Sequence, residues 1–459
     1  MGRWIPFVLA ALLAVGLIAR DHDRPLVNGD EAVYAEFART WGGDPSATRW
    51  DGVAVHQRPP LYVALLAAAH ALGGAGEAPL RAVSALAAAA AVLAAAALAR
   101  RTTSDPRHAN AAGTLAAVLT AGSGFFLHWG AAIESDLVLA ALIAWSIERF
   151  AARALITAAI LCACAALVKQ VVGFLPLAAV FAWAIARDRE PIPRRTWLLA
   201  AATFALVWLP WHIYATIRHG GAVWHGLWVV NAVARAASPV FEPTSPGFYF
   251  AAALRREGVV LSLFLAFGLV HAIRRARART FGPLLAIVPP LAALAAFSLA
   301  ATRIEYYVLV AVPLVAAAVG AALAPGIPPL VAGAVLAIAL ATHGVKIPPP
   351  TPADLSARTL ARAAAAAHPA HLVVIGLQPS SPRAYAGVPV TRLVPDDAEA
   401  ARWRAIDVLA VPGVIERAAD PCAHPLVVAG APVITLATAP LPCRPAPTLT
   451  EGPYALQPP

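Results

Sequence analysis

Long apolar blocks broken by short polar stretches fill the first three quarters of the chain, each near the roughly 20 residues needed to cross a bilayer. The first runs from Ile5 to Ala19 behind Arg3. It has the length of a signal peptide but no small-x-small cleavage site follows, so it is expected to be a retained first helix. Further spans are expected at about 81–99, 111–127, 137–150, 154–168, 171–186, 197–211, 259–273, 281–300, 307–323 and 327–343, about eleven in all. Leu61 to Leu72 is too short to span and is expected to lie at the interface. Between the first two spans, Asn28 to Trp41 reads as a surface helix. Val33, Phe37 and Trp41, flanked by Tyr34 and Ala38, form one apolar stripe at helical spacing.

Beyond Pro348-Pro-Pro-Thr-Pro352 the pattern changes. A helix-like stretch, Asp354 to Ala367, precedes strand-like runs at His371–Gly376, Ile406–Val411 and Pro425–Val428. This divides the chain into a transmembrane domain, 1–345, and a small C-terminal α/β domain, 346–459.

Composition agrees with the pattern. The 459 residues are 60% hydrophobic and only 13% charged, against about 25% charged in soluble proteins, and mean hydropathy is +0.69. The net charge of +10 does not point to nucleic acid. The arginines cluster in the short loops at 100–107, 187–195 and 274–279, which marks those loops and the N-terminus as cytoplasmic. The acidic and aromatic loops and the C-terminal domain then face outward. Cys162 and Cys164 fall inside an apolar segment as inert core residues. Cys422 and Cys443 fall in the exported tail, where they are expected to pair.

Sidedness changes how the polar residues read. Asp30 and Glu31, Arg58, the Glu134-Ser-Asp136 loop, and Arg303 with Tyr306 and Tyr307 all gather on the outer face, and charges at membrane depth mark functional paths. Each has a plainer reading. Asn28 and Glu31 fit a capping box, which accounts for Glu31 and leaves Asp30 free. Arg58 can snorkel, Asp136 can cap the helix that follows, and the tyrosines suit an aromatic belt. Together they suit sugar transfer from a lipid phosphate to a hydroxyl. The lipid phosphate leaves already anionic and needs cations, while the acceptor needs one base. A polytopic transporter or lipid flippase is the alternative. Transporters place polar groups near the midplane and carry internal repeats, and neither is evident here.

Several segments resemble the GT-C membrane glycosyltransferases, in particular the family of bacterial aminoarabinose transferases of lipid A and dolichyl-phosphate-mannose protein mannosyltransferases (glycosyltransferase family 39-like). They are Gly29-Asp-Glu-Ala-Val-Tyr-Ala-Glu-Phe-Ala-Arg39, Gln57-Arg-Pro-Pro-Leu-Tyr62, Glu134-Ser-Asp136, Leu167-Val-Lys-Gln-Val-Val-Gly-Phe174, Pro210-Trp211 and Arg303-Ile-Glu-Tyr-Tyr-Val-Leu309. They follow the family's order over residues 1–345. The resemblance implies a polytopic α-helical GT-C fold and an inverting glycosyltransferase of the bacterial inner membrane. Its donor would be a polyprenyl-phosphate-linked sugar and its acceptor a lipid, glycan or protein. The implied catalytic residues are Asp30, supported by Glu31, and Asp136, with Arg58 on the lipid phosphate. Tyr62, Glu134, Lys169, Arg235, Arg303, Tyr306 and Tyr307 would bind substrate. No cofactor is assigned, although some related enzymes bind a divalent cation. Two departures stand out: proline is usual where Glu305 stands, and Asn231 to Arg235 fits the family pattern only loosely.

Overall fold

The structure is a computed structural model. It describes residues 5–19, 22, 24–26, 30–43, 45–50, 53–74, 76–239, 244–245 and 247–326, with Ala334, Tyr385 and five strand segments beyond. The chain opens with α1 (Ile5–Ala19) and α2 (Asp30–Thr40); of the expected stripe Phe37 and the flanking Tyr34 and Ala38 are buried, whereas Val33 and Trp41, the latter just beyond α2, are only partly so. A short hairpin, β1 (Thr48–Trp50) against β2 (Val53–Val55), precedes α3 (Pro60–Gly73).

The helix α4 (Glu77–Thr102) is the central pillar, packed against α1, α3, α5 (Ala109–Ala121), α7 (Asp136–Ala151) and α16 (Val312–Leu323). Its alanines make this possible. Ala88, Ala91, Ala95, Ala96 and Ala99 are fully buried, and side chains of this size let neighbouring backbones approach closely, as helices inside a bilayer require. The alanine bias, uninformative about chemistry, sets the packing distance.

Helices stand at each expected span from the first through the tenth, but three of those spans are broken, the tenth into a 3-10 helix and α16. The third divides into α5 and α6 (Gly124–Trp129). Ser123 donates to the Glu257 carboxylate at 2.5 Å, and the same carboxylate accepts from the Gly124 amide at 2.9 Å. This satisfies backbone donors that a helix start leaves open. The sixth follows α8 (Leu155–Val168) as α9 (Gln170–Gly173) and α10 (Leu177–Ile185), separated by a turn containing Pro176.

Then come α11 (Arg194–His219), α12 (Gly221–Trp224), a π-helix (His225–Ala234), α13 (Arg235–Ala237), α14 (Phe248–Ala276) and α15 (Phe281–Leu299). A 3-10 helix, Glu305–Val310, leads into α16. Within α14, Gly258 at φ 69° breaks the helix, a conformation natural to glycine.

Among the described residues α4, α11, α14 and α15 are long and apolar enough to cross a membrane. The large apolar side chains exposed on α11 and α14, such as Leu206, Ile217, Val259 and Leu263, suit hydrocarbon rather than water. The eleventh expected span apart from Ala334, the 345/346 boundary, Asp354 to Ala367, Asn28, Cys422 and Cys443 lie outside the described residues.

Five strands follow: β3 (Leu372–Ile375), β4 (Val390–Leu393), β5 (Asp407–Ala410), β6 (His424–Val427) and β7 (Thr435–Thr438). They form one mixed sheet in the order β4-β3-β5-β7-β6, parallel at β3 and antiparallel around β7. The strand-like runs read from sequence are β3, β5 and β6, whereas β4 and β7 are additions. Tyr385 ties this part of the chain to the first loop. Its hydroxyl accepts from the Leu26 amide and donates to Glu77, each at 2.7 Å.

Candidate active site

At the start of α2, Asp30 is held from two sides. Arg58, in the turn before Pro59 and Pro60, donates to Asp30 Oδ1 at 2.8 Å, and the Tyr306 hydroxyl donates to Asp30 Oδ2 at 2.8 Å. Arg58 also lies 5.2 Å from the centre of the Tyr34 ring, which itself stands edge-on to Tyr62 at 4.8 Å. Carboxylate, guanidinium and phenol are thus fixed in one another's reach by three separate parts of the chain.

A second pair stands beside the first. Asp136, the first residue of α7, ion-pairs with Lys169, whose Nζ is 3.0 Å from Oδ1 and 3.2 Å from Oδ2. Lys169 occupies the extended residue between α8 and α9 and lies 4.0 Å from the centre of the Tyr307 ring. Arg235 donates to the Tyr307 hydroxyl at 3.1 Å. The capping role suggested for Asp136 is not what the structure shows: Ser135 holds the cap position without a side-chain cap bond, and Asp136 serves the charge pair with Lys169 instead. The π-helix brings its own groups in: Asn231 donates to the Gln57 carbonyl at 2.9 Å, beside Arg58. A β-carbon on Gly226 would meet the His56 carbonyl oxygen at 2.8 Å, so this close approach needs glycine.

The carboxyls differ electrostatically. Burial alone would raise the pKa of Asp30, but Arg58, then the Tyr306 hydroxyl, Arg235 and Lys169 outweigh it and hold Asp30 below its ordinary value. Glu134, buried in the loop before Asp136, is pushed well above the usual carboxylate range, first by burial and then by the charges of Asp30 and Asp136. The two neighbouring carboxyls are thus shifted in opposite directions.

Not every residue singled out from sequence arrives here. Arg303 turns to backbone, with Nε donating to the Ser298 carbonyl at 3.1 Å and Nη1 to the Thr244 carbonyl at 2.7 Å. Arg235, from the loosely fitting stretch, adds a weaker influence to that of Arg58 in lowering the pKa of Asp30, which Arg303 does not. Glu31 points away from Asp30 into a buried ion pair with Arg81 (2.8 Å) and accepts from the Ile133 amide at 3.1 Å. The capping reading therefore leaves out its principal partner. Arg81 carries no motif, yet a lone charge at the head of an apolar run is itself a signal.

Asp30 and Asp136 each already face a cationic side chain, and among the described residues no three His, Cys, Asp or Glu side chains gather as metal ligands would.

The family model for dolichyl-phosphate-mannose-protein mannosyltransferase matches residues 57–214, which include Arg58, Asp136 and Lys169. No curated protein matches the chain by sequence. Among solved structures, ArnT from Cupriavidus metallidurans bound to undecaprenyl phosphate aligns at TM-score 0.71 with 18% identity, over 97% of this chain and 99% of that one. The archaeal oligosaccharyltransferase AglB from Archaeoglobus fulgidus, in complex with an inhibitory peptide and a dolichol-phosphate, aligns at 0.55 with 14% identity, over 90% and 69%. The arabinofuranosyltransferase AftD from Mycobacteria aligns at 0.54 with 17% identity, over 96% and 40%. The fold is the GT-C fold.

Proposed function

We propose that this chain is an inverting glycosyltransferase that moves a sugar from a polyprenyl-phosphate-linked donor to a hydroxyl of a lipid, glycan or protein at the outer face of the bacterial inner membrane. The clamp of Arg58 and Tyr306 on Asp30 carries this reading, because it joins one ionised carboxylate to cations in a sheltered place. The acceptor oxygen attacks the anomeric carbon and loses its proton to Asp30. The bond from that carbon to the phosphate oxygen breaks, and the departing lipid phosphate is held by Arg58 with Arg235 and Lys169 behind it. In the resting protein Arg58 is paired with Asp30, so an incoming phosphate competes for the guanidinium and releases Asp30 as it binds. The undecaprenyl phosphate bound by ArnT and the dolichol-phosphate bound by AglB support a lipid phosphate as the ligand, and the peptide bound by AglB keeps a protein acceptor in view.

Cells lacking the protein should accumulate a polyprenyl-phosphate-linked sugar, read by mass spectrometry of extracted lipids. Arg58→Ala should reproduce that accumulation and raise donor KM about tenfold or more, the scale of a lost charge-assisted hydrogen bond. Arg58→Lys should recover part of the loss. An unchanged lipid profile in the deletion strain defeats the proposed reaction.

The same reading places the N-terminus in the cytoplasm and residues beyond Pro352 outside, from the arginine-rich inner loops. An alkaline phosphatase fusion after Pro352 should be active and a fluorescent protein fused there through the same export route should be dark. The reverse pattern would put the Asp30 site on the cytoplasmic side.

A further inference from the structure

The segment that presents Tyr306 to Asp30 is a single 3-10 stretch, Glu305–Val310, a conformation seldom stable over more than a few residues on its own. Its first residue is anchored. Glu305 receives a two-pronged hydrogen bond from Arg256, Nε to Oε1 at 2.5 Å and Nη2 to Oε2 at 2.9 Å. The third arm of the guanidinium, Nη1, is 3.0 Å from His128 Nδ1 on α6. Next to His128, Trp129 meets the Tyr306 ring edge-on at 5.3 Å.

Arg256 is in turn fixed by its surroundings. It sits two residues before the break at Gly258, and its neighbour Glu257 binds the N-terminus of α6. A β-carbon on Gly124 would fall 1.7 Å from the Arg256 carbonyl oxygen, so α6 and the break in α14 are pressed together at backbone contact. Tyr306 is thereby held through Glu305 from below and by Trp129 from the side, both referred to the same pair of helix ends.

We propose that Arg256 and Glu305 are positioning residues: their ion pair, docked on His128, sets the Tyr306 hydroxyl at hydrogen-bond distance from Asp30. The consequence for turnover rests on the proposed glycosyl transfer; the brace itself does not.

The test is Glu305→Gln, which keeps size but breaks the charge pairing, alongside Arg256→Lys, Tyr306→Phe and the Glu305→Gln/Tyr306→Phe double variant. Amide hydrogen exchange over residues 304–310 should rise about tenfold in Glu305→Gln. Turnover should fall about tenfold with donor KM within about twofold of the parent, as for a group acting through another in the transition state, and Arg256→Lys should lie between. In the Tyr306→Phe background Glu305→Gln should add no further loss. Unchanged exchange, or losses that multiply in the double variant, overturns the proposal. If the unmodified protein transfers no sugar from lipid-linked donors, the functional reading fails and exchange alone decides the brace.

Discussion

Asp30→Asn is expected to lower sugar transfer by about 10²-fold or more, the usual scale for loss of a general base. Asparagine keeps the size of the side chain and an oxygen that can accept from Arg58 or Tyr306, but it cannot take the acceptor's proton. It also leaves Arg58 facing a neutral group. Both partners of that pair are nearly a fifth exposed, so the stability cost should be no more than about 1–2 kcal/mol, and the protein should remain folded in detergent.

The pH dependence has a defined sign. Arg58 and Tyr306 hold the folded-state pKa of Asp30 below its ordinary value of 3.8. The stabilisation from its ionised form is therefore complete above that value and is lost as pH falls through the lower folded value. Donor phosphate drawing Arg58 away removes the strongest of the lowering influences. The acid limb of kcat, which reports the donor complex, should then lie at higher pH than the limb of kcat/KM, which reports the free enzyme. Near-parent turnover in Asp30→Asn would show that this carboxylate only starts a helix.

Arg81→Leu should be the most damaging substitution for stability. Arg81 Nη1 donates to Glu31 Oε1 at 2.8 Å and also to the Ala131 carbonyl. Its Nη2 reaches Glu31 Oε2 and the carbonyls of Arg24 and Pro25, each at 3.1 Å. One buried guanidinium therefore joins the chain entering α2, α2 itself and the loop leading to Asp136. Removing it strands Glu31 as a buried charge, a loss of about 3–5 kcal/mol. Thermal unfolding in detergent should show a large drop, and Arg81→Met with Glu31→Leu should recover part of it, since an apolar pair of similar volume can replace a buried ion pair. A single variant that melts like the parent would mean that water reaches this pair. The same geometry makes Glu31→Gln costlier than a helix cap alone implies, because the amide cannot balance Arg81.

Local chemistry by itself determined a good deal. Apolar runs near bilayer length located the helices, the stripe of Val33, Phe37 and Trp41 with Tyr34 and Ala38 beside it marked the side of α2 that buries Tyr34, Phe37 and Ala38, and short strand-like runs marked β3, β5 and β6. These follow from periodicity and burial, which neighbours within a few residues decide. Tertiary structure alone decided which charge meets which. Asp30 finds Tyr306 276 residues away, Asp136 finds Lys169 33 away, and Glu31 leaves its own helix start for Arg81 50 away. It also set Arg235 rather than Arg303 behind Arg58 in the charge environment of Asp30, and broke the third span where Glu257 could serve a new helix start. A charged side chain pairs with whatever the packed helices bring within about 4 Å, and no spacing along the chain encodes that distance.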